Sequence, residues 1–156
     1  DFDFALGYFL DGGSQDQAAF SNTTIQNNTI RVPVDLNATV APADVNQNIA
    51  IPLSVGTNQT ITGNTIEGAP TAGIVIGWGR YMRGVLASGN LIRNARVGIL
   101  VSSDPDAGAV LVTSNMISGA TDGAIRAHRL GQPFGPDLAR TDTDTPRIKI
   151  SGNMAV

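Results

Sequence analysis

Apolar side chains fall three and five places before an asparagine and two places after it, and the arrangement recurs along the chain. Val85, Ala87 and Ile92 bracket Asn90 in this way, Val110, Val112 and Ile117 bracket Asn115, and Ile148, Ile150 and Ala155 bracket Asn153. Alternation with a period of two before the asparagine marks a strand with one buried face. The asparagine sits at a bend, and the apolar residue beyond it belongs to a second strand. A glycine followed by apolar residues opens a third strand: Gly73 in GIVI, Gly98 in GILV and Gly123 in GAIR, spaced 25 and 25 residues apart. No window of useful length carries helical periodicity, so each unit reads as three short strands joined by bends.

The asparagines Asn28, Asn64, Asn90, Asn115 and Asn153 are 36, 26, 25 and 38 residues apart. Two markers recurring in one phase at such a period indicate stacked repeats. Asparagine tolerates the left-handed backbone that turns a strand sharply. When equivalent turns stack at the strand spacing of about 4.8 Å, their side-chain amides can bond in a ladder. Each strand is therefore expected to pair in parallel with its counterpart in the next unit. The fold class that follows is all-β, a right-handed parallel β-helix of about five coils with three short strands per coil.

Two units depart from this rhythm. Sixteen residues, RVPVDLNATVAPADVN (31–46), precede the strand near Gln47, and twenty-one, AHRLGQPFGPDLARTDTDTPR (127–147), separate Arg126 from Ile148. Both are rich in Pro, Asp and Asn and read as loop insertions. The GIVI strand leaves two registers open, with either Ile74 and Ile76 or Val75 facing inward. Counted from the glycines, Arg126 shares the column of Ile76 and Val101, so the inward choice buries a charge at a cost. The last coil is then expected to open.

Composition narrows the chemistry. The 156 residues form one domain, and the chain opens on DFDFALGYFL and closes on GNMAV inside a strand, which suggests a piece of a longer solenoid. No cysteine and a single histidine, His128, exclude disulfides, thiolate catalysis and a multi-histidine metal site within the chain. Residues 1–79 carry one base and seven acids (−6), and residues 80–156 carry nine bases and six acids (+3). A mildly basic half favours an anionic partner. Nucleic acid is disfavoured because no basic run is interleaved with aromatics. No apolar run reaches the roughly 20 residues of a membrane helix.

The GNxI…GI pattern resembles the right-handed β-helix repeat of the pectate-lyase-like superfamily, which includes polysaccharide lyases, alginate epimerases, polygalacturonases and phage tailspikes. The stretches GIVIGWGRYMRGVLASGNLIRNARVGILVS and DGAIRAHRLGQPFGPDLA resemble an uncharacterised bacterial repeat family whose members carry a twin-arginine export signal. The resemblance implies an exported protein, periplasmic or extracellular, that binds or modifies a polysaccharide. A non-catalytic adhesion or structural module and a tailspike shaft are the alternatives.

Stacking the bends puts Trp78 level with Ser103, Gly79 with Asp104, Arg80 with Pro105 and Tyr81 with Asp106, and places His128 and Arg129 at the levels of Trp78 and Gly79. Arg80, Tyr81, Asp104, Asp106, His128 and Arg129 then share one edge. Lysis or epimerisation of a uronate removes a proton beside a carboxylate, which needs a base and a cation or arginine. His128, Tyr81 or an arginine suits the base, Arg80, Arg83 or Arg129 the carboxylate, and Trp78 a sugar ring. Asp104 and Asp106 suit Ca²⁺ or the acid–base pair of a glycoside hydrolase. Each has a plainer reading: Asp104-Pro105-Asp106-Ala107-Gly108 as a turn, His128 as a solvated loop residue, Trp78 as surface cover, and TDTDT (141–145) as a polar loop. The run Asp104-Pro105-Asp106 lacks the histidine of the epimerase signature Asp-Pro-His-Asp. No lyase-type acid cluster followed by Arg-Pro is present, so the resemblance bears on fold more than on activity.

Overall fold

The computed structural model describes residues 2–3, 8–9, 24–27, 29–31, 53–55, 58–80, 82–141 and 145–156. Asn28, Tyr81, residues 32–46 of the first insertion and residues 142–144 of TDTDT lie outside the described residues. The described residues are all-β, without helices. In chain order the strands are β1 (Phe2–Asp3), β2 (Tyr8–Phe9), β3 (Thr24–Gln26), β4 (Thr29–Arg31), β5 (Leu53–Val55), β6 (Thr60–Thr62), β7 (Thr65–Glu67), β8 (Ala72–Ile76) and β9 (Val85–Ser88). They continue as β10 (Leu91–Arg93), β11 (Val97–Ser102), β12 (Val110–Thr113), β13 (Met116–Ser118), β14 (Ile125–Arg129), β15 (Gln132–Asp137), β16 (Ile148–Ser151) and β17 (Met154–Ala155).

These strands form three sheets, ordered β1-β4-β7-β10-β13-β17, β15-β14-β11-β8-β5-β2 and β16-β12-β9-β6-β3. Two are parallel throughout. The middle one is mixed, because β15 runs antiparallel to β14. From β3 to β14 the chain visits the three sheets in turn, and each strand lies beside its counterpart three strands earlier.

Pairing stacks equal positions into columns that the alternation foretold. Ile66, Ile92 and Ile117 form one, Ile61, Ala87, Val112 and Ile150 another, and Ile74, Ile99 and Ile125 a third. These side chains are buried in one continuous core. Each fully buried isoleucine contributes roughly 1.5–3 kcal/mol of hydrophobic stabilisation. In β8, Ile74 and Ile76 face this core, while Val75 joins Ala72, Val97 and Leu100 in a second buried cluster. The strand is covered on both faces, which explains its unbroken apolar run.

The asparagine ladder is present, with a different backbone cause from the one the sequence suggests. Asn64 Nδ2 donates to Asn90 Oδ1 at 3.0 Å, Asn90 Nδ2 to Asn115 Oδ1 at 2.9 Å, and Asn115 Nδ2 to Asn153 Oδ1 at 2.9 Å. The left-handed conformation belongs to the residue before each asparagine: Asn27 (φ 56°), Gly63 (65°), Gly89 (62°), Ser114 (56°) and Gly152 (64°). The asparagine itself turns inward to bond the layers, and its neighbour makes the corner.

Ser114 is the column member with a side chain between two glycines. Left-handed backbone costs an ordinary residue about 1–2 kcal/mol. Glycine returns part of that gain by loosening the unfolded chain. Ser114→Gly is expected to raise stability by about 0.5 kcal/mol, seen as a higher urea midpoint at unchanged slope.

The last described unit corrects the sequence register. Ile99 pairs with Ile125 and Leu100 with Arg126, so Ala124, not Gly123, continues the Gly73–Gly98 column. Arg126 therefore stands in the column of Val75 and Leu100 instead of that of Ile76 and Val101, and no charge enters the core. Its guanidinium donates to Asp122 O at 2.7 Å and lies 3.5 Å from the Asp122 carboxylate.

The insertion 127–147 is not simply a loop either, since β14 runs on to Arg129 and turns back as β15. Leu130 (φ 48°) and Gly131 (φ 83°) make this turn, both left-handed as a tight hairpin requires. Asp137, at the end of β15, accepts Ala124 N–H at 2.8 Å and Ile125 N–H at 3.0 Å, replacing the carbonyls of a further strand.

Candidate functional site

The one-residue shift at β14 decides where the candidate chemistry lies. Ser102 pairs with His128, so His128 stands one level below Trp78, and Arg129 takes the level of Ser103. A shift by one reverses the facing of every side chain in a strand. The imidazole is nonetheless fully buried instead of being solvated on a loop, because β14 runs on past it and turns back as β15.

Both ring nitrogens face backbone groups. Gly131 N–H donates to Nδ1 at 3.0 Å, which leaves the proton on Nε2, 3.4 Å from Ile76 O. The ring spans from the hairpin turn to β8, two layers away. Burial pushes its pKa down from 6.5 to about 4, against the opposing pull of the Ile76 and Gly77 backbone carbonyls. His128 is neutral at pH 7, and both its lone pair and its proton are directed at the backbone.

Trp78 lies over this ring, 6.2 Å between centroids at a 47° tilt, and remains 37% exposed. Its far edge rests on Gly131, where an added Cβ would come within 2.9 Å of Cη2. Leu130 and Phe134 on the hairpin are exposed as well, and the Arg129 guanidinium sits 5.7 Å from the Phe134 ring centre. Gly79 lies between Leu130 and Asp104, its Cβ direction 3.4 Å from Leu130 Cδ2 and 3.8 Å from Asp104 Oδ2. Ser102 Oγ donates to Gly79 O at 2.6 Å and ties the bend after β8 to β11.

The two aspartates form a turn. Asp104 Oδ1 accepts Asp106 N–H at 2.9 Å, and Asp104 O accepts Ala107 N–H at 3.0 Å. Arg147 donates to Asp104 O at 3.1 Å, to Ala107 O at 2.9 Å and to Pro105 O. One cation thus gathers three carbonyls of this turn, a contact between residues about forty apart with no counterpart in the repeat pattern. Arg80 and Arg83 are exposed, and Arg83 O accepts Asn58 N–H at 2.7 Å. Among the described residues, no group of three or more acidic or histidine side chains could hold a metal ion.

The structure therefore brings Trp78, Asp104, His128 and Arg129 to one flank, with Arg80 nearby in sequence and Tyr81 outside the described residues. Leu130 and Phe134 join that flank unforeseen, because the hairpin that carries them reads as loop in the sequence. No helix among the described residues is long and apolar enough to cross a membrane. No family model, no curated protein and no solved structure matches the chain.

Proposed function

We propose that the chain forms a right-handed parallel β-helix of the pectate-lyase-like superfamily, exported to the periplasm or cell exterior, that binds an acidic polysaccharide along the flank of Trp78. The observation that carries this reading is the exposed face of Trp78, held from behind by the buried His128 ring and from the side by Gly131. A fixed aromatic plane offers a sugar ring apolar contact at little entropic cost. Arg129, stacked on Phe134 and exposed, supplies a positive charge for a uronate carboxylate. The positive balance of residues 80–156 acts in the same direction.

Binding fits this geometry better than turnover. The imidazole that would serve as base is shielded and faces backbone on both sides, and Asp104 is occupied within its own turn. The same observations favour a second reading, a repeat module of purely structural or adhesive use.

Trp78 is the sole tryptophan, so its emission reports the site directly. Titration with polygalacturonate or alginate is expected to shift that emission saturably, with a neutral dextran as control. In affinity electrophoresis, Trp78→Ala should weaken retardation by about tenfold, the scale of one lost stacking contact. Arg129→Gln should weaken it for the uronates alone. Unchanged emission with all the polymers would remove the carbohydrate reading and leave the structural one.

A further inference from the structure

The carbohydrate reading assigns Trp78 and Arg129 to the binding flank, but it leaves unused the buried imidazole that joins the hairpin to β8. We infer that His128 is an acid-sensitive clasp: protonation of its ring releases the Leu130–Gly131 turn from β8 and disassembles the flank formed by Trp78, Arg129 and Phe134. The inference rests on the carbohydrate reading only for what is released; the clasp itself stands on the geometry of His128.

The neutral ring matches its surroundings in one tautomer alone. Nδ1 must accept, because Gly131 offers an N–H at 3.0 Å, and Nε2 must donate, because Ile76 offers a carbonyl. A proton added at Nδ1 sets two donors against each other across that 3.0 Å contact. The ring or the turn then has to move, and Gly131 also supports the edge of Trp78.

The charged groups on the elements packed against the ring give it no compensation. These are Asp104 beyond β11, Arg80 beyond β8, Arg126 and Arg129 on β14 itself, and Asp137 on β15, whose carboxylate accepts the Ala124, Ile125 and Ala139 N–H groups. Among the described residues, none makes an ion pair with the imidazole. Arg129 is next in sequence and of the same sign as the protonated ring. The sign of the linkage follows from a folded pKa below the unfolded one. The clasp is intact above the unfolded value of 6.5, and its contribution is lost as pH falls through that value toward about 4.

The test uses the native chain, in which the only histidine and the only tryptophan are the two residues concerned. Ring nitrogen and carbon NMR signals of His128 are followed from pH 7.5 to 3.5, together with Gly131 amide exchange, Trp78 emission and far-ultraviolet circular dichroism. Expected is the Nε2–H tautomer at neutral pH and a protonation midpoint near 4. Trp78 emission and Gly131 exchange should change with that midpoint while the β signal persists. Between pH 7 and pH 4 the native chain should lose about twofold more retardation by polygalacturonate than His128→Asn does, because half of its rings are protonated at the midpoint and the polymer's own titration is common to both. His128→Asn retains an acceptor near Gly131 without a titrating ring, and its emission should stay flat with pH.

A histidine that titrates near 6.5, or Trp78 emission and Gly131 exchange that ignore its protonation, would overturn the clasp. So would a global loss of β signal at the same midpoint. If the clasp opens as described while no polymer binds at pH 7, the clasp stands and the carbohydrate reading fails.

Discussion

Asn90→Ala is expected to cost about 3–5 kcal/mol, on the scale at which several buried polar groups are left unmet together. Asn90 Oδ1 accepts both the backbone N–H and the side-chain amide of Asn64, each at 3.0 Å. Its own Nδ2 donates to Ile61 O at 3.0 Å and to Asn115 Oδ1 at 2.9 Å. Truncation leaves two donors on Asn64 without Asn90 Oδ1 and takes one donor each from Ile61 O and Asn115 Oδ1, where water does not reach. Asn153→Ala removes the same chemistry from a half-buried position at the end of the stack and should cost only about 1 kcal/mol.

Asn90→Asp is more diagnostic still. It preserves shape but turns an oxygen toward Ile61 O, so the introduced carboxyl is favoured in its protonated form. Its folded pKa is raised, and the substituted protein should gain stability as pH falls below neutrality, opposite to the usual aspartate. Urea denaturation at pH 7 and pH 5 reads both effects. A cost below about 1 kcal/mol for Asn90→Ala would mean that the ladder is decorative.

Why the columns were legible and the flank was not comes down to what each depends on. The apolar positions around Asn90 and Asn115 follow from an alternation that only a strand satisfies, so the core columns of Ile61, Ile66 and Ile92 could be placed by counting. The ladder was legible for the same reason, although its αL residue was assigned one place too late. Failure began at Gly123. Glycine there has φ 118° and stands outside the Gly73–Gly98 column, so a count from glycine to glycine slipped by one. That slip carries Arg126 into the core, while His128 is misplaced for another reason, the reading of 127–147 as loop where β14 runs on to Arg129.

The β14–β15 hairpin was hidden by composition. Pro133 and Pro136 read as breakers, yet proline is tolerated on a strand that forms the edge of its sheet, as β15 does. Arg147 on the 104–107 turn is a contact across some forty residues, which no local pattern announces.

Gly98→Ala is expected to cost about 3 kcal/mol, the upper end for one added methyl in a packed core. Gly98 does not have a positive φ, so conformational freedom is not what it supplies. A Cβ there would stand 2.5 Å from Ala124 O and 2.6 Å from Ile117 Cγ2, and Gly73 has the same relation to Gly98 O and Ile92 Cγ2, both at 2.8 Å. Glycine admits the isoleucine of one sheet against the backbone of the next.

The next member of the column bears this out by breaking the rule consistently. Ala124 carries a Cβ, and there the Ile92–Ile117 column has shrunk to Ala155, while Asp137 carboxylate oxygens replace the carbonyls of a following strand. Gly135→Ala isolates the backbone term, since its φ is 70° but nothing lies within 4 Å of the added carbon. It should cost about 1 kcal/mol from strain alone. Ile117→Ala should cost less in the Gly98→Ala background than alone, because it also removes one of the two clashes while the one with Ala124 O remains. Equal costs for Gly98→Ala and Gly135→Ala would show that the glycines mark turns and not the contact between sheets.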